Sequence, residues 1–143
     1  MYEDTLKRVN LFSSLDKKDL QALARTCQER KYSAGTTLFE QGDTGVGLYI
    51  LTVGTVRITQ ANNPDKAIEV LGTEGVGGVL GEMALLDDLP RSATITAVDD
   101  VIALLLPVWD FRATLHSHPD IAVKLLAVLS RRLRKAENRV HDH

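Results

Sequence analysis

A chain of 143 residues, 44% hydrophobic and 25% charged, has the composition of a globular protein with room for one core. Its formal net charge of −2 argues against a domain built mainly to grip nucleic acid, because neutralising phosphates needs a clustered basic face. No apolar run approaches the roughly 20 residues of a membrane helix. The acidic start Met1-Tyr2-Glu3-Asp4 lacks the basic head of a signal peptide, so a cytoplasmic chain with no membrane contact is expected.

Three regions differ in hydrophobic period. Residues 1–30 read as helical: Leu11, Leu15, Leu20, Leu23 and Ala24 recur at three- to five-residue spacings, and Ser14 or Asp16 can cap a second helix. The single cysteine, Cys27, excludes an internal disulfide framework and reads as a small packed hydrophobe.

Residues 31–106 hold all ten glycines of the chain. Short strands are expected at 37–39, 47–52, 55–60, 67–71, 93–97 and 101–106, with a hairpin turn at Asn62-Asn63-Pro64-Asp65. Many short strands separated by turn residues indicate an antiparallel β-roll, of the double-stranded β-helix or jelly-roll kind.

From residue 107 the pattern is helical again. Pro107 suits the first turn of a short helix through Trp109, Phe111 and Leu115, and His118-Pro119 breaks it before a longer one. In that long helix Ala122, Leu126, Leu129, Leu133, Ala136 and Val140 follow a 4-3-4-3-4 spacing, widened by Leu125 and Val128. The stripe fits either a dimer seam or a helix lying on its own domain. The basic run Arg131-Arg132-Leu133-Arg134-Lys135 fits either a solvated face or a ligand or partner contact. No second recognition helix follows it, so direct DNA binding by this chain is not expected. The whole of 1–143 is therefore expected to be a single, mainly β domain. It consists of N-terminal helices, a roll, and a C-terminal hinge with a long helix.

The segment that carries chemistry is 81–94, Gly81-Glu82-Met83-Ala84-Leu85-Leu86-Asp87-Asp88-Leu89-Pro90-Arg91-Ser92-Ala93-Thr94. Its front end reads as one helical turn. Gly81 can take a backbone shape closed to other residues, and the amides that follow form a small positive concavity. Pro90 biases Leu89 toward an extended shape and returns Arg91 and Ser92 toward that concavity. A guanidinium, a hydroxyl and several amides then converge where a phosphate can rest.

The ordered run Gly81-Glu82-Met83-Ala84-Leu85-Leu86, then Pro90-Arg91-Ser92-Ala93-Thr94, resembles the phosphate-binding cassette of the cyclic-nucleotide-binding domains. That family includes bacterial catabolite activator proteins, regulatory parts of cyclic-nucleotide-dependent kinases, and cyclic-nucleotide-gated channels. The likeness continues upstream in Phe39-Glu40-Gln41-Gly42-Asp43 and Leu48-Tyr49-Ile50-Leu51-Thr52-Val53-Gly54, and downstream at Pro119-Asp120.

For a cyclic nucleotide, Arg91 would pair with the phosphate, helped by Ser92 and by backbone amides near Ala84. Glu82 would accept hydrogen bonds from the ribose 2′-hydroxyl. Ile68, Val70, Leu80 and Met83 are candidates for an apolar wall against the purine. The resemblance implies backbone contacts from Gly81 and Ala84, with Ala93 beside them on the cassette, and a helix arginine at Arg132. Arg134 is a second candidate contact from the long helix. The resemblance further implies a sensor of cyclic AMP, favoured over cyclic GMP, that passes binding through its last helix to an effector domain or a second copy. No enzyme activity, cofactor, catalytic residue or metal ligand is expected.

Several features depart from the family pattern. Ala136 and Glu137 stand where the bacterial activators carry hydroxyl residues that reach adenine. The approach Gly72-Thr73-Glu74-Gly75-Val76-Gly77-Gly78-Val79-Leu80 is long and ends in Leu80 where an aromatic residue is common. Two rival readings remain. A cupin enzyme needs histidines inside the barrel, whereas His116, His118, His141 and His143 all follow it. A ligand-free dimerisation module of the same fold would be marked by loss of the cassette glutamate or arginine, and both are present.

Overall fold

The structure, a computed structural model, describes residues 2–61, 67–87 and 89–141, with side chains as far as residue 138. The N-terminal region forms α1 (Glu3–Lys7), a 3-10 turn (Asn10–Phe12) and α2 (Lys17–Ala24). Asp16 caps α2: its side chain accepts from the Asp19 amide while the Asp19 carboxylate accepts from the Asp16 amide, a reciprocal capping box.

Among the described residues eight strands follow: β1 (Gln28–Tyr32), β2 (Thr37–Phe39), β3 (Gly47–Val53), β4 (Val56–Gln60), β5 (Glu69–Glu74), β6 (Val79–Leu80), β7 (Thr94–Ala97) and β8 (Val101–Pro107). They build two four-stranded sheets, β1-β8-β3-β6 and β2-β7-β4-β5, in which every pairing is antiparallel. The mainly β roll with flanking helices is thus present.

Two of its strands depart from the sequence expectation. Residues 28–30, read as the end of a helical region, begin β1; their side chains are polar and exposed, so no alternating apolar signal marks them. The strand is held by five cross-strand pairs to β8, three of them from these residues. β6 is two residues long and is fixed by Tyr49 and Ile50 of β3. The expected turn at Asn62-Asn63-Pro64-Asp65 lies outside the described residues.

Two apolar clusters share β3 and β8. Leu48 and Ile50 of β3, with Leu104 and Leu106 of β8, face the helices and pack with Leu11, Phe12, Phe111, Ile121 and Leu125. The alternate residues Tyr49, Leu51, Ala103 and Leu105 face into the roll, with Leu38, Val56, Leu80 and Ile95. Period-two alternation therefore buries both faces of these two strands, which accounts for their unbroken apolar runs. Cys27 is half-buried against the helical cluster, and burial, with a smaller contribution from Asp110, pushes its thiol up to about 12.

The chain closes with α3 (Val108–Ser117) and α4 (Pro119–His141). Pro107 precedes α3 as its cap residue, and His118 separates the two helices. Ile121, Leu125 and Val128 of α4 are buried in the helical cluster, and Leu129 packs against it. The rest of the 4-3-4-3-4 stripe is more exposed: Leu126 is 64% and Leu133 62% exposed, Ala136 is exposed, and Ala122 is half-buried. The side chain of Val140 lies outside the described residues. Lys124 ties α4 to α2 through the buried Asp19 at 2.5 Å and Asp16 at 3.5 Å. These partners raise the Lys124 pKa, the Asp19 hydrogen bond first. Among the described residues no helix is long and apolar enough to cross a membrane.

Phe111 is fully buried, with its ring 6.2 Å from that of Phe12, so it joins α3 to the N-terminal helices. Phe111→Ala is expected to cost about 3–5 kcal/mol of stability. Urea denaturation with a two-state fit checks this.

Candidate ligand site

The cassette hangs between the two apolar clusters. Leu80, at the end of β6, is buried in the roll, and Leu85, in the 3-10 turn Glu82–Leu85, is buried among the helices. Between them Gly81 adopts φ +79°, the left-handed conformation that glycine takes without penalty. The turn then runs in register: the Ala84 amide donates to the Gly81 carbonyl at 3.1 Å and the Leu86 amide to the Met83 carbonyl at 3.0 Å. The return strand is fixed by Arg91, whose amide donates to Asp43 at 2.8 Å and whose carbonyl accepts from Gly42 at 2.8 Å.

Arg91 is 6% exposed, an uncommon setting for a guanidinium. Its Nη2 donates to the Gly47 carbonyl at 2.6 Å, and its Cζ lies 4.1 Å from the centre of the Phe39 ring and 5.9 Å from that of Tyr49. Desolvated cation–π contacts of this kind contribute about 2 kcal/mol. Its Nε is buried with no hydrogen-bond partner among the described residues. Burial lowers the Arg91 pKa, opposed through space by Tyr49 and Asp43; no carboxylate among the described residues forms an ion pair with it.

Glu82 sits at the opposite wall. Its Oε1 accepts from the Leu11 amide at 3.1 Å and from Arg132 Nη2 at 2.5 Å. Arg132 is itself held by Asn10, whose Oδ1 accepts from its Nε at 3.0 Å and its Nη2 at 2.5 Å. Residues 81–84 and 89–92 enclose a cavity of about 270 Å³, so Glu82 and Arg91 line one space. The backbone amides of Glu82, Met83 and Ser92, on its walls, and of the neighbouring Ala93 have no partner among the described residues.

The other sequence candidates are distributed differently. The Ala84 amide, expected to face a phosphate, is consumed by the turn. Leu80 cannot form the outer wall, because packing against Tyr49 and Leu51 draws it into the roll at 6% exposure. Ile68 precedes β5 and Val70 lies on it; they are 69% and 63% exposed and are not among the cavity's lining residues. β5 nevertheless runs one strand away, since Gln60 pairs with Glu69 and its side chain donates to the Ser92 carbonyl at 2.9 Å. Met83 lines the cavity with an exposed side chain. Arg134 faces a separate groove. Sequence reasoning missed Phe39, Tyr49, Gly47, Asn10 and Leu11 as partners of the two charged groups. Phe39 stands in a quoted motif, but nothing local signals that Asn10 meets a helix 122 positions later.

A family described as the cyclic nucleotide-binding domain matches residues 29–118. The chain belongs to that family. Among relatives, it is 36% identical over 134 residues to the "Cyclic AMP receptor protein" of Thermus thermophilus, covering 92% of this chain and 61% of that protein. It is 30% identical over 140 residues to a "CRP-like cAMP-activated global transcriptional regulator" of Mycobacterium tuberculosis, covering 98% of this chain and 62% of that protein. A crystal structure of the N-terminal domain of a transcriptional regulator from Streptomyces coelicolor superposes with a TM-score of 0.86 at 36% identity, covering 96% of this chain and 95% of that one. The cyclic nucleotide-binding chain described here thus spans about three fifths of the length of these two relatives.

In this cyclic nucleotide-binding fold Gly81 fixes how close the cassette can approach Arg91. A Cβ at position 81 would overlap Arg91 Nη1. Gly81→Ala is therefore expected to cost at least about 1–2 kcal/mol, the left-handed backbone penalty alone, with displacement of the guanidinium in addition. Thermal unfolding checks the stability loss.

Proposed function

We propose that this domain is a non-enzymatic sensor that binds cyclic AMP in the cassette cavity, in preference to cyclic GMP, and that residues 1–143 act as one unit. The observation that carries the reading is the placement of Arg91 and Glu82 on the walls of one cavity. Its volume suits the phosphate and sugar of a nucleotide. An incoming phosphate gives the buried guanidinium the countercharge it lacks, with amides from Glu82, Met83, Ser92 and Ala93 at hand and the Ser92 hydroxyl as a further donor. The ribose lies toward Glu82, and the purine extends past Met83 toward β5, where Ile68 and Val70 are exposed. The names of the Thermus and Mycobacterium relatives support cyclic AMP as the ligand.

Transmission runs through Arg132. A ligand shifts a helix only by binding its two positions unequally, and Arg132 lies on α4 while touching the same carboxylate oxygen that would meet the sugar. The exposed part of the apolar stripe, Leu126, Leu133 and Ala136 with half-buried Ala122, suits a second copy of the chain or an effector domain. The rival, a ligand-free module with the same fold, is disfavoured by an unsatisfied buried Arg91 Nε, a costly feature for a purely structural part.

Arg91→Leu is expected to cost about 2–5 kcal/mol of cyclic AMP binding by isothermal titration calorimetry, and an unchanged affinity overturns the site. Glu82→Ala is expected to weaken cyclic AMP binding while leaving its 2′-deoxy analogue almost unaffected. Equal weakening of both compounds removes the sugar role from Glu82.

A further inference from the structure

A second groove, of about 510 Å³, lies between α4 and the N-terminal segment that carries the 3-10 turn of residues 10–12. Asn10 and Ser13 line one side; Arg131, Arg132, Arg134 and Lys135 line the other. No carboxylate is among the lining residues. We propose that this groove binds a short polyphosphate, at a site separate from the cassette cavity.

The first argument is uncompensated charge. The chain as a whole carries a formal charge of −2, yet four of its cations meet within five consecutive positions. Among the described residues no carboxylate forms an ion pair with Arg131, Arg134 or Lys135. Arg131 with Arg134, and Arg131 with Lys135, are like charges at the three- and four-residue spacings that destabilise a helix face. An anion in the groove relieves that repulsion.

The second argument is preorganisation. Arg131 Nη2 donates to Ser14 Oγ at 3.1 Å, and Arg132 donates to Asn10 Oδ1 through two nitrogens. Ser14 orients the Arg131 fork without neutralising it. Arg132 is held by Asn10 and also paired with Glu82, so the uncompensated charge is that of Arg131, Arg134 and Lys135. An already ordered fork reduces the cost of binding an oxyanion. The remaining N–H groups suit the paired oxygens of a phosphate.

Length selects the ligand class. Four cations spaced over five helical residues span about 6 Å along the axis, a distance matched by two or three linked phosphates. An extended nucleic-acid backbone or an acidic peptide distributes its charge over a longer path and needs cations beyond this cluster. The phosphate chain has two possible sources, inorganic polyphosphate and the tail of a nucleoside triphosphate.

The test is calorimetric titration of the full chain with sodium tripolyphosphate at fixed ionic strength and with no cyclic nucleotide present. Its failure therefore leaves the cassette reading standing, and failure of the cassette reading leaves this one standing. Saturable one-to-one binding is expected, weakened at least ten-fold by Arg131→Gln with Lys135→Gln and, separately, by Arg134→Gln. Parallel titration with ATP identifies the source: comparable affinity assigns the nucleotide tail, and loss of binding assigns the inorganic chain. Absence of saturable binding, an equal response to sulfate, or unchanged affinity in both variants overturns the proposal. Tighter binding of a short DNA duplex that is lost in the same variants also overturns it, in favour of nucleic acid.

Discussion

Keeping the Arg91 guanidinium inside the roll constrains the surrounding architecture. A buried charge is tolerated only where hydrogen bonds and polarisable neighbours replace water, and here a single carbonyl, from Gly47, and two aromatic faces, Phe39 and Tyr49, do so. On the side of Gly45 and Gly81 the fit is tight. A Cβ on Gly45 would come within 2.8 Å of Ala84 Cβ, and one on Gly81 would strike the guanidinium itself. The charge, the glycines and the aromatic floor therefore form one mutually dependent set drawn from β2, β3 and the cassette.

The same set joins the two halves of the fold. Leu80 and Leu85, five positions apart, enter different apolar clusters, so the cassette cannot shift without disturbing the roll, the helices, or both. Glu82 lies between them and reaches the Leu11 amide and Arg132. Glu82 thus links the cavity wall directly to the N-terminal turn and to α4.

Helix α4 is the element on which most of the remaining features converge. Ile121, Leu125 and Val128 seat it, Lys124 ties it to the capping box of α2, and Arg131 and Arg132 tie it to Ser14 and Asn10. Its polar contacts are thus with the N-terminal segment and the cassette together. Its second apolar stripe faces away from all of them. The helix thus has one face seated on the domain and another that is exposed.

Local patterns determined much of this protein. Glycine and turn residues marked most strands, the Pro107 and His118-Pro119 breaks bounded the last helices, and the run from Gly81 to Thr94 identified the family and placed Glu82 and Arg91 together. These features depend on backbone geometry and side-chain types a few residues apart, so they are written along the chain. Other features were decided by tertiary packing. The polar strand β1 exists because β8 offers it an edge. Leu80 turned inward because Tyr49 and Leu51 surround it, and Arg91 was buried because Phe39, Tyr49 and Gly47 converge beneath it. The apolar stripe that faces the domain was Ile121, Leu125 and Val128, joined from the regular 4-3 seam by Leu129, because α3 and the N-terminal turn set the rotation of α4. Each of these depends on which distant surfaces meet, and a periodic sequence records that a face is apolar without recording what covers it.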